Sequence, residues 1–310
     1  MGKLIIDAHS HLWLKQDTIV DGQVIRSMPN GRSIFFGEER QMVPPFMIDS
    51  VNSAEVFLSN MNYAQVGAAV VVQEIIDGNQ NDYLKQVQTN YPDRFFCMGM
   101  AFTLDEAVRL HQEGFRGIAI PGHRLASIAA AHPEAFADAK SPLLSMIPLF
   151  RFMEEQGMVL SMCLDDDEKQ IAQMKEVVQD CPRLKVAIGH FGMPTTDSFR
   201  SQVALALEGK NVMIESGGIT WLYNSEFYPF PTAVKKIREA ADMVGMDRLM
   251  WGSDYPRTIT AITYRMSYDF VEKTAELSEA EKEAFLGQNA MRFYGFSNLP
   301  DLPYIKNMSE

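Results

Sequence analysis

The 310 residues carry 46% apolar and 22% charged side chains, ordinary for a globular chain with an ample core. A net charge of −12, without any basic cluster interleaved with aromatics, argues against a nucleic-acid partner, and no apolar run is long enough to span a membrane. Three cysteines (Cys97, Cys163 and Cys181) lack metal-type spacing and cannot all pair, which with a start that runs straight into a strand predicts a cytoplasmic setting.

The first apolar run, LIIDAHSH from Leu4, ends in two histidines. Side chains of a strand alternate between faces, so His9 and His11 point the same way. From about Leu12 to Asp49 follows a segment rich in Gly, Pro and charge, read as a long lid or binding loop. Seven more apolar runs come next: AAVVVQEI from Ala68, FFCMGMAF from Phe95, RGIAIPGHR from Arg116, MVLSMCL from Met158, KVAIGHFG from Lys185, NVMIESGG from Asn211 and RLMWGSDYP from Arg248. Amphipathic helical stretches such as LDEAVRLHQEG and PTAVKKIREAADMVG separate them, most ending near Gly or Pro. After the seventh run lies GGITWLYNSEFYPFP, dense in aromatics and suited to wall a pocket. Nearly continuous apolar strands alternating with helices predict a parallel sheet, and eight such units predict a (β/α)8 barrel as one domain over 1–310, with an open doubly wound sheet as the other arrangement.

Barrel active sites form at the C-terminal strand ends. Four of the six histidines fall there: His9 and His11 after the first strand, His123 after the fourth and His190 after the sixth, joined by Asp254 after the eighth. The segments DAHSH, GHFGMP, WGSDYP and the closing LSEAEKEAFLGQNAMRFYGF together resemble the amidohydrolase superfamily, in particular the amidohydrolase-related branch that includes 2-pyrone-4,6-dicarboxylate lactonase, sugar-acid lactonases and aminocarboxymuconate-semialdehyde decarboxylase. The resemblance runs from Asp7 to Gly295. It implies a distorted barrel acting on carbonyl-bearing small molecules, with the paired histidines and the last-strand aspartate around a metal or an activated water. In metal-binding relatives the fifth strand ends in a histidine; here it reads MVLSMCLDDDEKQ, with Cys163 and Asp165 near that place. The lysine of two-metal relatives is also missing, so at most one ion is expected.

The chemistry of the residues points the same way. A water attacking a lactone carbonyl needs a base, for which Asp254 is the candidate, and the developing oxyanion needs positive charge. His9, His11 and Asp254 offer three ligands with an open position, as catalytic Zn2+ takes, while His190 would serve as a fourth ligand or polarise the carbonyl. Catalysis without a metal stands beside this as an equal alternative. His123, Arg124 and Arg257 are candidates for a substrate carboxylate or hydroxyls, and Gln73 at the end of the second strand for a hydrogen bond to substrate. The leading expectation is a hydrolase opening a sugar-acid or muconate/pyrone-type lactone. A metal-dependent decarboxylase and an inactive barrel acting as a binding protein are the alternatives. The partner is a small molecule, and association of copies stays open.

Overall fold

The computed structural model describes residues 3–138 and 140–306. Each of the eight apolar runs forms a strand, and the segment between the first two holds a sheet of its own. In chain order the strands are β1 (Ile6–Ser10), β2 (Asp17–Val20), β3 (Gln23–Ser27), β4 (Arg32–Phe35), β5 (Glu38–Gln41), β6 (Ala68–Val71), β7 (Phe95–Cys97), β8 (Gly99–Met100), β9 (Gly117–Ile120), β10 (Val159–Met162), β11 (Lys185–Ile188), β12 (Val212–Glu215) and β13 (Leu249–Met250). Strands β7 and β8 are two halves of one barrel strand: Met98 N donates to Val71 O on one side, and Gly99 pairs with Ile118 on the other.

All barrel neighbours run parallel, in the order β1–β6–β7 and β8–β9–β10–β11–β12–β13. The ring closes between the first and last strands through Ala8 N to Trp251 O, Asp254 N to His9 O and His11 N to Tyr255 O, each 2.8–2.9 Å. The fold is a (β/α)8 barrel. The strands are buried on both faces, as their unbroken apolar text requires. One face (Ile6, Ala8, Val70, Phe96, Ala119, Ala187, Met250) fills the lumen and is plugged from below by Phe293, Tyr294 and Phe296. The other face packs Val71, Ile118, Leu160, Val186 and Ile214 against the helices.

The loop expected over 12–49 is corrected: β2–β5 form a four-stranded antiparallel sheet. Its two-residue turns are Asp21–Gly22 (φ 52° and 73°) and Phe36–Gly37 (φ 49° and 82°). Both central residues of such a turn take positive φ because that twist matches the flanking strands, which suits Asp-Gly but strains a phenylalanine. The two tips lie at one end of the sheet, and both reach Arg124 beyond β9. Asp21 Oδ2 accepts from its Nη1 at 3.5 Å, and the Phe36 ring lies 5.3 Å beneath its guanidinium. The sheet therefore leaves the barrel after the first strand and arches over the mouth to the fourth.

Candidate active site

The site begins with Asp7, one residue pair below His9 on β1. Its carboxylate is fully buried and accepts from Ser253 N (2.8 Å), Ser253 Oγ (2.5 Å), Tyr264 Oη (2.7 Å) and His9 N (3.1 Å). These bonds tie the end of β1 to the turn after β13. Burial pushes the Asp7 carboxyl up to about 6, its hydrogen bonds limiting the rise. Asp7 is thus a brace under the site.

His9, in contact with the cavity, donates Nδ1–H to Glu215 Oε1 at 2.7 Å. Glu215 ends β12, is buried, and also accepts from Gly217 N (2.6 Å) and His190 N (3.1 Å). A side chain at Gly189, Gly217 or Gly252 would collide with Glu215, with contacts of 2.8–2.9 Å to its oxygens, so three strand ends carry glycine to make room for one carboxylate. His190 donates its own Nδ1–H to Gly217 O at 2.9 Å. Both histidines therefore turn Nε2 into the cavity, as metal-ligating imidazoles do when an acceptor holds the far nitrogen.

Asp254 closes the group from the last strand. Oδ1 lies 3.0 Å from His11 Nε2 and 3.7 Å from His9 Nε2, while Oδ2 accepts from Trp221 Nε1 at 2.7 Å. The Nε2 atoms of His9 and His11 are 3.2 Å apart. His190 (φ 51°) and Asp254 (φ 59°) both adopt the left-handed region, a strain that persists only where surroundings over-determine it and that gathers at functional sites.

Charges follow from these contacts. Burial works against a proton on His9, but Glu215, Asp254 and Asp7 outweigh it and raise the imidazole to about 9. Burial and the neighbouring His9 charge lower His190. Burial would raise Asp254, yet its bond to His11 and the charges of His11, His190 and His9 hold it well below the usual carboxylate range. On the opposite wall, burial and the Asp77 charge push Glu74 up to about 7, and burial pushes Asp77 up to about 6.

The donor set fits a single divalent ion. One ligand atom each from His9, His190 and Asp254 lie within 4.8 Å of one another, and His11 Nε2 borders the same point. The carboxylates that favour a proton on His9 would equally favour a cation in its place. Relative to the expected trio of His9, His11 and Asp254, the geometry brings His190 into the ligand group. His11 keeps a buried Nδ1 without a hydrogen bond, 3.8 Å from Asp77 Oδ2.

The catalytic, metal and substrate candidates singled out from the sequence line one cavity of about 290 Å3, and so does Cys163, whereas Asp165 does not. Their availability differs. Gln73 lines the cavity with its amide already engaged within the wall: it donates to Asn81 Oδ1 (2.7 Å) and Met98 O (2.9 Å) and accepts from Gln80 N (2.8 Å). Arg124 is occupied in part by the inserted sheet. His123 lies 3.4 Å from Glu74 Oε2, and burial with the Arg124 and His190 charges lowers it to about 4. Arg257 is exposed at the mouth. Cys163 takes the place of the fifth-strand histidine as a neutral thiol, raised by burial and by Glu215, Glu74 and Asp254. Sequence reasoning missed Glu215, though a carboxylate closing the apolar run NVMIE was a visible signal. It also missed Asp77, and the roof residues Gln16, Phe35, Met42 and Val43. Of the aromatic segment after β12, Trp221 reaches the cavity.

Residues 6–296 match the profile of the amidohydrolase family. The chain belongs to that family. Solved structures with the same fold include a probable 2-pyrone-4,6-dicarboxylic acid hydrolase from Acinetobacter baumannii with citric acid bound (19% identity, covering 94% of this chain and 99% of the other, TM-score 0.66). An amidohydrolase from Burkholderia multivorans with bound zinc is similar at 18% identity, covering 96% of this chain and 100% of the other (TM-score 0.67). The 5-carboxyvanillate decarboxylase of Sphingomonas paucimobilis is similar at 17% identity over 82% of this chain and 86% of that one (TM-score 0.56). No curated protein matches the sequence. Among the described residues no helix is long and apolar enough to cross a membrane.

Proposed function

We propose that this amidohydrolase opens the lactone ring of a small unsaturated organic acid, with Asp254 moving the proton of the attacking water. The observation that carries the reading is the setting of Asp254: an ionised carboxylate, oriented by Trp221 and His11, at the floor of a cavity walled by Trp13, Phe35, Val72, Ile76 and Ile120. The neutral amides on that wall, Gln16 and Gln73, are already hydrogen-bonded within the protein. Both are thereby withdrawn from a substrate's hydroxyls, and the apolar part of the wall suits a flat, unsaturated ring.

The water oxygen attacks the lactone carbonyl carbon while Asp254 accepts its proton. The oxyanion that develops faces His9 and His11, and on collapse the ring C–O bond breaks, the leaving oxygen taking the proton back from Asp254. The product is the open hydroxy acid. A carboxylate held below its usual range is a weak base, and acidifying the water would assist it. A divalent ion, zinc in our reading, held by His9, His190 and Asp254 would supply that, lowering the pKa of bound water to about 7.

The test is a pH-monitored lactone panel with metal analysis. Wild-type protein should open unsaturated lactones, and Asp254→Asn should retain the fold by circular dichroism while losing at least about 100-fold in kcat. Undiminished turnover by that variant overturns the role of Asp254. Release of CO2 from an unsaturated or aromatic acid, with every lactone left intact, overturns the reaction class in favour of decarboxylation.

A further inference from the structure

The cavity does not end at the roof. Phe35, Met42 and Arg257 belong both to its wall and to an outer groove of about 620 Å3, which Phe36, Glu38, Arg40 and Gln41 complete. Arg257 stands one turn beyond the base, since Thr258 N in the same turn donates to Asp254 O at 3.3 Å, so its backbone is fixed relative to the reacting centre. We propose that this groove is a second subsite, in which Arg257 binds the distal carboxylate of an elongated substrate whose lactone ring occupies the inner cavity. The inference rests on the hydrolytic reading above for what lies inside, and adds what lies outside.

Three observations carry it. The first is charge. Arg26, Arg32, Arg40 and Arg124 are each paired with a carboxylate, to Asp17, Glu39, Glu38 and Asp21, whereas among the described residues Arg257 has no ion pair. In a chain of net charge −12 an unpaired arginine on the lip of a cavity is a ready receptor for an anion, and its planar fork matches a carboxylate in two bonds. The second is position along the cavity. Asp254 and the histidines line the inner cavity alone, whereas Arg257 borders both that cavity and the outer groove, so a substrate whose ring meets Asp254 has its far end at Arg257, which sets the direction of binding. The third is the strained Phe36, whose left-handed backbone at the hairpin tip holds the two rings of Phe35 and Phe36 edge to face, 4.8 Å apart, along the groove. Strain of that kind gathers at ligand clamps.

The experiment compares two lactones of one ring, one with a distal carboxylate and one with its methyl ester. Wild-type protein should show a KM at least about tenfold lower for the carboxylate, the size of one charge-assisted hydrogen bond. Arg257→Gln should collapse the ratio to about one, Arg257→Lys should recover part of it, and Arg26→Gln, which removes an equal charge on the inserted sheet instead, should leave the ratio as it was. A ratio near one in the wild type, or one that Arg257→Gln does not move, overturns the subsite. Calorimetric titration with the matching lactams reads binding without turnover. Arg257-dependent binding without hydrolysis of either lactone would overturn the hydrolytic reading alone. Hydrolysis with Arg257-independent binding would overturn the subsite alone.

Discussion

The floor and the roof of the cavity hold their residues by different means. On the floor, His9, His190 and Asp254 are each fixed by a partner from another part of the chain: Glu215 of β12, the carbonyl of Gly217, and Trp221. Beyond its root, where Gln16 Nε2 donates to the buried Asp77 Oδ1 at 2.7 Å, the roof meets the far wall through hairpin tips gathered on Arg124, at 3.5 Å to Asp21 and 5.3 Å over Phe36. Groups that must keep a proton or an ion in place need short bonds between buried charges, whose strength depends on the exclusion of water. Groups that only have to admit and cover a substrate can be held by weak, partly solvated contacts, which open at little cost. The same cavity thus has a rigid chemical half and a compliant covering half.

That contrast can be broken at either end. The largest effect is expected on the floor: Glu215→Gln keeps the size of the side chain but replaces the acceptor that orients His9, and should weaken zinc binding by about 10–100-fold in competition with a chromophoric chelator. A change under twofold would show that the floor does not depend on its brace. The next concerns the wall between the halves. Asp77 has its folded pKa raised to about 6 from 3.8, so the folded state binds the proton more tightly than the unfolded chain. Its stabilising share is present below about pH 4 and is lost as pH rises through 6. Asp77→Asn should therefore be more stable than the wild type above pH 6, by on the order of 1–2 kcal/mol, and should lose that advantage near pH 4. Thermal melts from pH 4 to 8 with chelator present would show this, and parallel curves would refute it. The smallest effect belongs to the roof. Phe36→Gly trades the ring under Arg124 for relief of the left-handed backbone, terms of about 1 kcal/mol each and opposite sign. The melting point should move by no more than about 2 °C while KM rises about threefold. A drop beyond 5 °C would place the roof with the floor.

How much of this could be read from the chain depends on how local each signal is. The eight barrel strands were legible because burial on both faces writes an unbroken apolar run. His9, His190 and Asp254 stood out as polar residues ending such runs. Glu215 ends one too, but the expectation that ligands are histidines drew attention away from the carboxylate behind them. The inserted sheet was misread for a different reason. Its Asp21–Gly22 pair is a strong hairpin signal, yet the strands beside it, such as DTIV and EERQ, are short and largely exposed and lack the apolar text of a core strand. The internal bonds of Gln73 were not legible, since two of the groups that occupy its amide, on Asn81 and Met98, are brought to it by folding across 8 and 25 positions.

The place where the inserted sheet joins the barrel has a consequence for how this enzyme could diversify. Trp13 and Asn52 exchange two backbone bonds of 3.0 Å, and the Asn52 amide also holds His11 O at 2.6 Å. Everything between them leaves and returns at one stitched point. We expect the sheet to behave as a cassette: lengthening or exchanging it should leave the register of the first strand, and with it the histidines, in place. New substrates could then be acquired by trading covers over an unchanged reaction centre, and a library built by grafting segments between Trp13 and Asn52 would explore specificity while sparing catalysis.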